Sequence, residues 1–185
     1  MTITGQNSTA FRMATEADIP LIRSLADHIW RTHYPGIITH AQIDYMLGKM
    51  YSPETIADEI DRQGYTYLLA LRNGEPVGFA AFLFEPAITA VKISKLYLLP
   101  LLHGKGIGQE MLQWMQNDAI RRAATRMYLF VNKNNAKAIA AYERFGFVKA
   151  AAVVTDIGGG FVMDDYRMEL DIERFCPGRC LPCQQ

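Results

Sequence analysis

The stretch KLYLLPLLHGKGIGQEML, residues 95–112, runs from an apolar strand-like segment through a glycine-rich turn directly into an amphipathic helix. Apolar side chains then recur at helical spacing: Ile107, Met111, Met115 and Ala119. Glycines at 104, 106 and 108 have no side chain to block a ligand, and the first N–H groups of a helix have no partner within it. The segment therefore predicts a site where main-chain donors and the helix dipole hold a phosphate or pyrophosphate.

The turn has three alternative interpretations. A nucleotide-binding P-loop needs a Ser or Thr directly after its Gly-Lys pair, whereas Lys105 is followed by Gly106 and Ile107. A dinucleotide-binding fingerprint needs a third glycine at position 109, which is Gln109, and that motif normally follows the first strand. In the third interpretation the glycines only make a tight turn between a strand and a helix.

A second informative stretch is MYLFVNKNNAKAIAAYERFGFV, residues 127–148. It predicts a strand followed by a helix over Ala136–Phe145, on which Asn135, Ala138 and Tyr142 share one face. A small residue between an amide and a phenol makes a slot for a ligand. The alternative is an ordinary half-buried tyrosine on a core helix.

The rest of the chain predicts a mixed α/β domain over residues 10–172, between tails at 1–9 and 173–185. The first helix ends near His33, and capping patterns at Thr39 and Ser52 begin two more helices. Strand-like runs follow, the first two joined by a turn at Asn73-Gly74. Expected strands cover 65–72, 76–85, 90–98, 127–131, 149–157 and 161–170, with a helix over 106–122 between the third and the fourth.

The chain has 185 residues, 50% of them hydrophobic, with 19 Lys plus Arg balanced by 19 Asp plus Glu. Because proteins that bind nucleic acid or anionic membranes normally carry a basic excess, we expect neither partner. No apolar run approaches the roughly 18 residues of a spanning helix, and no secretory signal is visible. These features predict a cytoplasmic protein.

The three cysteines lie in the last ten residues: Cys176, Cys180 and Cys183. We expect no disulfide framework and no metal, with an inert exposed tail as the simplest interpretation. Metal binding and redox chemistry of this tail are the alternatives.

Together the two stretches resemble the GCN5-related N-acetyltransferase (GNAT) superfamily, which transfers an acetyl group from acetyl-coenzyme A to an amine. The family's cofactor motif, Arg/Gln-x-x-Gly-x-Gly/Ala, is matched by His103, Gly106 and Gly108, with His103 at the position of Arg or Gln. Its later motif is matched by Val131, Asn132, Asn135, Ala138, Tyr142, Gly146 and Phe147. The resemblance covers about residues 11–170. It implies the GNAT fold, an α/β (α+β) architecture with a mixed, mostly antiparallel, twisted sheet of about seven strands flanked by helices, and a strand–helix–strand crossover at the cofactor.

The resemblance also implies roles for individual residues. The cosubstrate acetyl-CoA would lie along the strand at Leu96, Tyr97 and Leu98, with its pyrophosphate on the turn. The turn residues are His103, Gly104, Lys105, Gly106, Ile107 and Gly108. Asn135 and Ala138 would contact the cofactor arm. The N–H near Leu98 would stabilise the oxyanion of the tetrahedral intermediate, and Tyr142 would protonate the departing sulfur.

The acceptor side is less fully determined by the sequence. Many family members carry a glutamate where this chain has Ser94, so the general base is left open among Glu85, the acids of the two late strands and a water chain. Candidate substrate-binding residues are Trp30, Tyr34, Tyr45, Glu85, Asp164 and Asp165. The last hairpin resembles that of a bacterial subgroup related to polyamine acetyltransferases, and its adjacent acids would attract a cationic amine. In the alternative, Asp164 and Asp165 only solvate a turn or strand end.

Two classes of function remain open from the sequence. The first is an N-acetyltransferase acting on a small-molecule amine, with a homodimer as one possible assembly. The second is a catalytically silent module that binds acyl-CoA and senses it. A nucleotide-dependent Rossmann enzyme fails on Gln109 and on the order of the motifs.

Overall fold

The computed structural model describes residues 8–173, so the cysteine tail and the predictions made for it lie outside the described residues. Within that part of the chain the helices are α1 (Ile19–His33), α2 (His40–Met50), α3 (Pro53–Asp61), α4 (Ile107–Arg121) and α5 (Ala136–Phe145). The strands are β1 (Thr9–Met13), β2 (Thr66–Arg72), β3 (Glu75–Glu85), β4 (Ala90–Leu98), β5 (Arg126–Asn132), β6 (Val148–Gly158) and β7 (Phe161–Asp171). The predicted α/β class is confirmed.

Local signals in the sequence fix most element boundaries. The Thr39 side chain accepts a hydrogen bond from the Gln42 N–H at 3.2 Å, and that of Ser52 accepts one from the Thr55 N–H at 3.1 Å. Each bond satisfies a donor that the helix start leaves free. Between β2 and β3, Asn73 adopts a φ of 52° and Gly74 a φ of 86°, as a tight hairpin turn requires.

Hydrogen bonds link the strands in the order β1-β2-β3-β4-β5-β7-β6. Strands β4 and β5 are parallel, because the chain returns through α4 before it enters β5. Strands β6 and β7 form the closing hairpin that the sequence predicts. The later strand of that hairpin, β7, pairs antiparallel with β5 and leaves β6 at the sheet edge.

The described residues form two compact units. The first contains the residues up to Phe82 together with Lys95–Met111, and the second contains Leu83–Ser94 and the residues from Leu112 on. In the first unit, Ile22, Ile43 and Leu68 are completely buried. They come from the apolar faces of α1 and α2 and from β2, which is apolar over most of its length.

The second unit has its own core. Buried apolar side chains come from α4, β5, α5 and β7: Met115, Ala119, Met127, Leu129, Ile139, Met168 and Leu170. Gly146 ends α5 with a φ of 116°, a conformation that L side chains rarely adopt. This explains the glycine of the Gly146-Phe147 pair.

A buried ion pair lies inside the first unit. The Lys95 ammonium on β4 is 2.6 Å from one carboxylate oxygen of Glu59 on α3 and also contacts the other. Tyr67 donates a hydrogen bond from its hydroxyl to the same carboxylate. The rings of Tyr51, Tyr65 and Tyr67 surround the ammonium, with their centroids 5.2 to 5.8 Å away. The ion pair therefore links α3 to β4, the strand that leads into the glycine turn.

Lys95→Met is expected to lower the free energy of unfolding by about 3–5 kcal/mol, because it leaves the Glu59 carboxylate buried without a counter-ion. The double variant Lys95→Met/Glu59→Gln is expected to regain most of that loss, since an uncharged amide still accepts the Tyr67 hydrogen bond. Urea unfolding of the three proteins measures both effects. Equal stabilities of the single and the double variant would show that the unpaired Glu59 carboxylate is not the cause of the loss, and equal stabilities of all three proteins would show that the ion pair contributes nothing.

No helix among residues 8–173 combines the length and the apolar character needed to cross a membrane.

Candidate functional site

The glycine turn of the first unit presents backbone donors to solvent. Gly104, Lys105 and Gly106 are exposed, and α4 begins directly after them at Ile107. The N–H groups of Gly104, Gly106, Ile107 and Gly108 donate to no acceptor within the described residues. Such donors at a helix N-terminus form a cradle for an anion.

The backbone of the turn depends on glycine at two positions, Gly104 and Gly106. Gly104 has a φ of 76°. Gly106 has a φ of 86°, which any L side chain would find strained. Lys105 adds an exposed positive charge beside the free donors. The donor set fits the pyrophosphate of coenzyme A, because a polyanion can use several N–H groups, the positive end of the helix dipole and a nearby ammonium together.

The His103 side chain has a partner that the sequence did not indicate. Its Nε2 lies 3.0 Å from the Leu98 carbonyl, so the imidazole donates back to the strand that precedes the turn. Its ring centroid is also 5.8 Å from that of His33, at the end of α1. In place of the family's Arg or Gln, His103 therefore ties the turn to the end of β4 and to α1.

Strand β4 ends in the segment for which the resemblance predicts contact with the pantetheine arm. Leu96, Tyr97 and Leu98 are all half-buried. The Tyr97 ring packs against Trp30 of α1, with 5.8 Å between the ring centroids. Trp30 is itself only 1% exposed and also contacts Tyr34, at 4.5 Å. The first unit thus brings Trp30, Tyr34 and Tyr97 together, with Trp30 in the core and Tyr34 nearer the surface.

Tyr45 belongs to a different environment from these rings. It is half-buried on α2, where the Lys49 ammonium lies 3.4 Å from its hydroxyl and 5.5 Å from its ring centroid. A cation of the same helix therefore already contacts the tyrosine face that would attract a cationic substrate.

Helix α5 carries the second motif, inside the second unit. Asn135 is 6% exposed and caps the helix, since its side-chain oxygen accepts a hydrogen bond from the Ala138 N–H at 3.3 Å. The capping bond uses the oxygen and leaves the amide N–H groups to donate to a ligand. Ala138 is half-buried on the same face, as predicted.

Tyr142 is half-buried one turn further along α5, and its ring contacts Phe147 edge-on. Its hydroxyl makes no hydrogen bond to any residue in the described part of the chain. Burial raises the pKa of Tyr142 to about 12. The phenol therefore stays protonated throughout the physiological range, so it can donate its proton to a hydrogen bond and cannot act as a base there.

The acidic candidates of the second unit differ in their partners. Glu85, at the end of β3, accepts a hydrogen bond from the Tyr128 hydroxyl at 2.8 Å. Asp164 on β7 is exposed and forms an ion pair with Lys133. Asp165 is only 4% exposed, and its Oδ1 has no hydrogen-bond partner among the described residues.

The unusual state of Asp165 has a clear electrostatic origin. Burial is the main cause that raises the pKa of Asp165 to about 6, and the negative charge of Asp164 adds to it. The positive charge of Lys133 acts in the opposite direction but is weaker. A carboxylate with its pKa close to neutral pH, and with a free oxygen, is suited to accept a proton.

Sequence reasoning missed several residues that shape these surroundings. Lys95 and Glu59 were not candidates, because the sequence shows neither that a charged strand residue is buried nor which helix residue pairs with it. Arg167 was also missed, although its guanidinium lies 4.7 Å from the Tyr128 ring centroid. A charged residue within an apolar strand, as Lys95 is in KISKLYL, was the one available signal. Residues 8–173 contain no group of His, Cys, Asp and Glu side chains arranged to hold a metal ion.

Comparison with proteins of known sequence supports the resemblance to the acetyltransferase (GNAT) family. Residues 23–147 match the model of the acetyltransferase (GNAT) family. A probable N-acetyltransferase of Mycobacterium tuberculosis is 28% identical over 142 residues, which cover 74% of this chain and 78% of that protein. The streptothricin acetyltransferase of Streptomyces lavendulae is 32% identical over 91 residues, or 49% of this chain and 48% of that enzyme.

Two solved structures share the fold. The PaiA N-acetyltransferase of Thermoplasma acidophilum, in complex with coenzyme A, superposes with a TM-score of 0.75 at 23% identity, covering 89% of this chain and 99% of that one. The spermidine/spermine N-acetyltransferase SpeG of Vibrio cholerae gives a TM-score of 0.66 at 16% identity, covering 91% and 97%. With two thirds of its length matched by the family model and its fold shared with these structures, the chain belongs to the acetyltransferase (GNAT) family and is an acetyltransferase.

Proposed function

We propose that this enzyme transfers the acetyl group of acetyl-CoA to a primary amine by direct attack, and that the acceptor is a small cationic amine such as a polyamine. The observation that carries the first part is the exposed glycine turn, whose four N–H groups have no acceptor within the described residues. At the N-terminus of α4 these N–H groups can donate hydrogen bonds to the oxygens of a pyrophosphate.

In this proposal the end of β4 binds the arm of acetyl-CoA through Leu96, Tyr97 and Leu98. The Leu98 N–H stabilises the oxyanion that forms when the amine attacks the thioester carbonyl. His103 holds the carbonyl of the same residue at 3.0 Å, which restricts the orientation of this part of the backbone. Acetyl-CoA supplies the activated acyl group, and the protein positions the thioester and stabilises the charge that develops on its carbonyl oxygen.

Asn135 and Ala138 of α5 would contact the arm of acetyl-CoA, as the resemblance to the family implies, with the Asn135 amide as donor. Tyr142 donates a hydrogen bond to the sulfur as negative charge develops there. Because the pKa of a free thiol is about 8.5, well below that of the buried phenol, complete transfer of the phenolic proton is uphill. The phenol acts chiefly as a hydrogen-bond donor, and the net proton comes from the amine.

The acceptor part of the proposal depends on negative charge. Asp164 and Asp165 are consecutive residues of β7, so their side chains leave opposite faces of the strand. Their negative charges would attract an ammonium group, with Glu85, Trp30, Tyr34 and Tyr45 as further acceptor-binding candidates. The names of two relatives, a spermidine/spermine N-acetyltransferase and a streptothricin acetyltransferase, are compatible with amine acceptors. A cytoplasmic location, a homodimeric assembly and a domain over residues 10–172 stay predictions from the sequence.

Purified enzyme with acetyl-CoA is expected to release free thiol in the presence of spermidine or an aminoglycoside, because both carry several ammonium groups. The measurement is continuous thiol detection over a panel that also contains neutral amines and a peptide with an N-terminal alanine. The variant Asp164→Asn, which leaves Asp165 in place, should raise KM for the cationic acceptors about tenfold, from the loss of one charge at an effective dielectric near 20. Turnover of neutral or peptide acceptors alone would refute the cationic acceptor.

A further inference from the structure

We propose that Asp165 is the general base that takes the proton from the acceptor ammonium before it attacks. The proposal rests on the proposed function above and assigns the one catalytic role that the sequence leaves open. Its basis is the position of Asp165 in β7 and the lack of a partner for one of its oxygens in the described structure.

Asp165 lies next to the segment that carries the second motif. In the register of β5 and β7 it stands directly opposite Asn132, and the neighbouring Asp164 carbonyl accepts a hydrogen bond from the Lys133 N–H at 3.0 Å. The chain continues from there into Asn135, whose N–H bonds to the Asn132 carbonyl at 2.9 Å. Asp165 therefore sits beside the turn that opens α5, within the same compact unit.

The other acids that the sequence leaves open are already in use. The Glu85 carboxylate accepts the Tyr128 hydroxyl, and Asp164 is paired with Lys133. Glu169, also on β7, is 2.7 Å from the Arg167 guanidinium. The Asp165 Oδ1, in contrast, is buried without any hydrogen bond in the described part of the chain. A buried acceptor of this kind is costly unless a ligand or a proton satisfies it.

The groups around Asp165 determine how it titrates. On its own strand are Asp164, which disfavours its charge, and Arg167, which is two residues away and bound to Glu169. From the β5–α5 turn comes Lys133, while the residues opposite it in β5 and β6, Asn132 and Val153, carry no charge. The result is a carboxylate whose pKa is raised to about 6, so it is mostly ionised at pH 7 yet more basic than an ordinary aspartate.

The proton balance of the reaction is complete with this assignment. One proton of the ammonium passes to the Asp165 carboxylate and from there to solvent. The neutral amine then forms the C–N bond, and collapse of the intermediate breaks the C–S bond. The second nitrogen proton ends on the sulfur, with the Tyr142 phenol donating to that sulfur as the bond breaks. The products are the amide, coenzyme A with a free thiol, and one proton.

The test is the pH dependence of kcat/KM for Asp165→Asn, using the amine of the panel that is turned over fastest. For the unchanged enzyme we expect kcat/KM to rise through about pH 6 and then level off, as the carboxylate ionises. For Asp165→Asn we expect a loss of about 100-fold at pH 7. Its rate should rise tenfold per pH unit, because only the small neutral fraction of the amine can react, and the two enzymes should converge near the pKa of the amine.

Two further variants sharpen the test. Asp164→Asn is expected to move the rising limb to lower pH, since the Asp164 charge raises the pKa of Asp165. Asp171→Asn makes the same chemical change at an exposed position of β7 and should leave the rate and the profile unchanged.

A stability measurement tests the same carboxylate without an acceptor. Because the pKa is raised from 3.8 to about 6 on folding, the native state binds this proton more tightly. Relative to Asp165→Asn, the unchanged protein should therefore keep its full stability below pH 4 and lose part of it as the pH rises through 6. Urea unfolding at several pH values measures this difference.

The outcomes separate the possible failures. If kcat/KM of Asp165→Asn still rises through about pH 6 and then levels off, and only KM is raised, Asp165 binds the ammonium and is not the base. A stability difference that does not change between pH 4 and pH 7 would overturn the proposal as well. If no amine is acetylated by the unchanged enzyme, the proposed function itself fails, and the inference fails with it.

Discussion

Tyr142→Phe is expected to lower kcat by about 10²- to 10³-fold while it changes the affinity for coenzyme A by less than threefold. The substitution removes one hydroxyl that has no hydrogen-bond partner in the described residues, so folding loses no internal bond. What is lost is the donor for the sulfur, an interaction that strengthens only as the C–S bond breaks.

Stopped-flow or steady-state thiol release gives kcat, and calorimetric titration with coenzyme A gives the affinity. Tyr166→Phe is the matched control, because it removes the hydroxyl of another half-buried tyrosine of the same unit, and it should leave kcat unchanged. The experiment also separates an enzyme from a silent acyl-CoA sensor, since a sensor has no turnover to lose. A kcat within threefold of the unchanged enzyme would exclude Tyr142 from the chemistry.

Gly108→Glu is expected to weaken coenzyme A binding about 100-fold, because it places a carboxylate at the N-terminus of α4, beside the proposed pyrophosphate position. A Cβ atom at Gly108 would have no protein atom within 4 Å outside the neighbouring backbone of its own helix. An acidic residue in the first turn of a helix is itself favourable for the helix dipole. The fold should therefore tolerate the change, and the melting temperature should stay the same or rise slightly.

Calorimetric titration with coenzyme A measures the affinity, and a thermal melt checks the fold. Asn117→Asp adds the same charge to an exposed position of the same helix, nine residues later, and is expected to change the affinity less than threefold. The affinity of Gly108→Glu should also recover partly at high salt, since the repulsion is electrostatic. Unchanged binding would place the pyrophosphate away from this turn.

The elements with strong local signals were predictable. Helix α5 has the predicted bounds, and the Asn73-Gly74 turn joins the predicted strands, because capping side chains and turn glycines act within a few residues of one another. The glycine turn before α4 was predictable for the same reason. Strand β1 was not predicted as a strand, since its five residues are ordered by pairing with the distant β2.

The burial and ion pairing of a charged side chain were less predictable than the helix or strand to which its residue belongs. The sequence marks Asp164 and Asp165 as equivalent neighbours. The fold gives the first an exposed ion pair with Lys133 and buries the second with a free oxygen. Adjacent strand residues point to opposite faces of a sheet, but which face is covered depends on the strands and helices around it. For the same reason the sequence could not show that Lys95 is buried with Glu59 as its partner.

By itself the sequence therefore determined the class of fold, which depends on hydrophobic periods and on glycine and capping residues close together in the chain. Its two motifs indicated the family by resemblance, and its glycine turn predicted a main-chain anion site. Only the tertiary structure decided that β7 lies between β5 and β6, that His103 holds the Leu98 carbonyl and that Asp165 is buried beside Asn132. Each of these rests on contacts between segments far apart in sequence, and desolvation, which sets the state of a charged group, arises only when those segments meet.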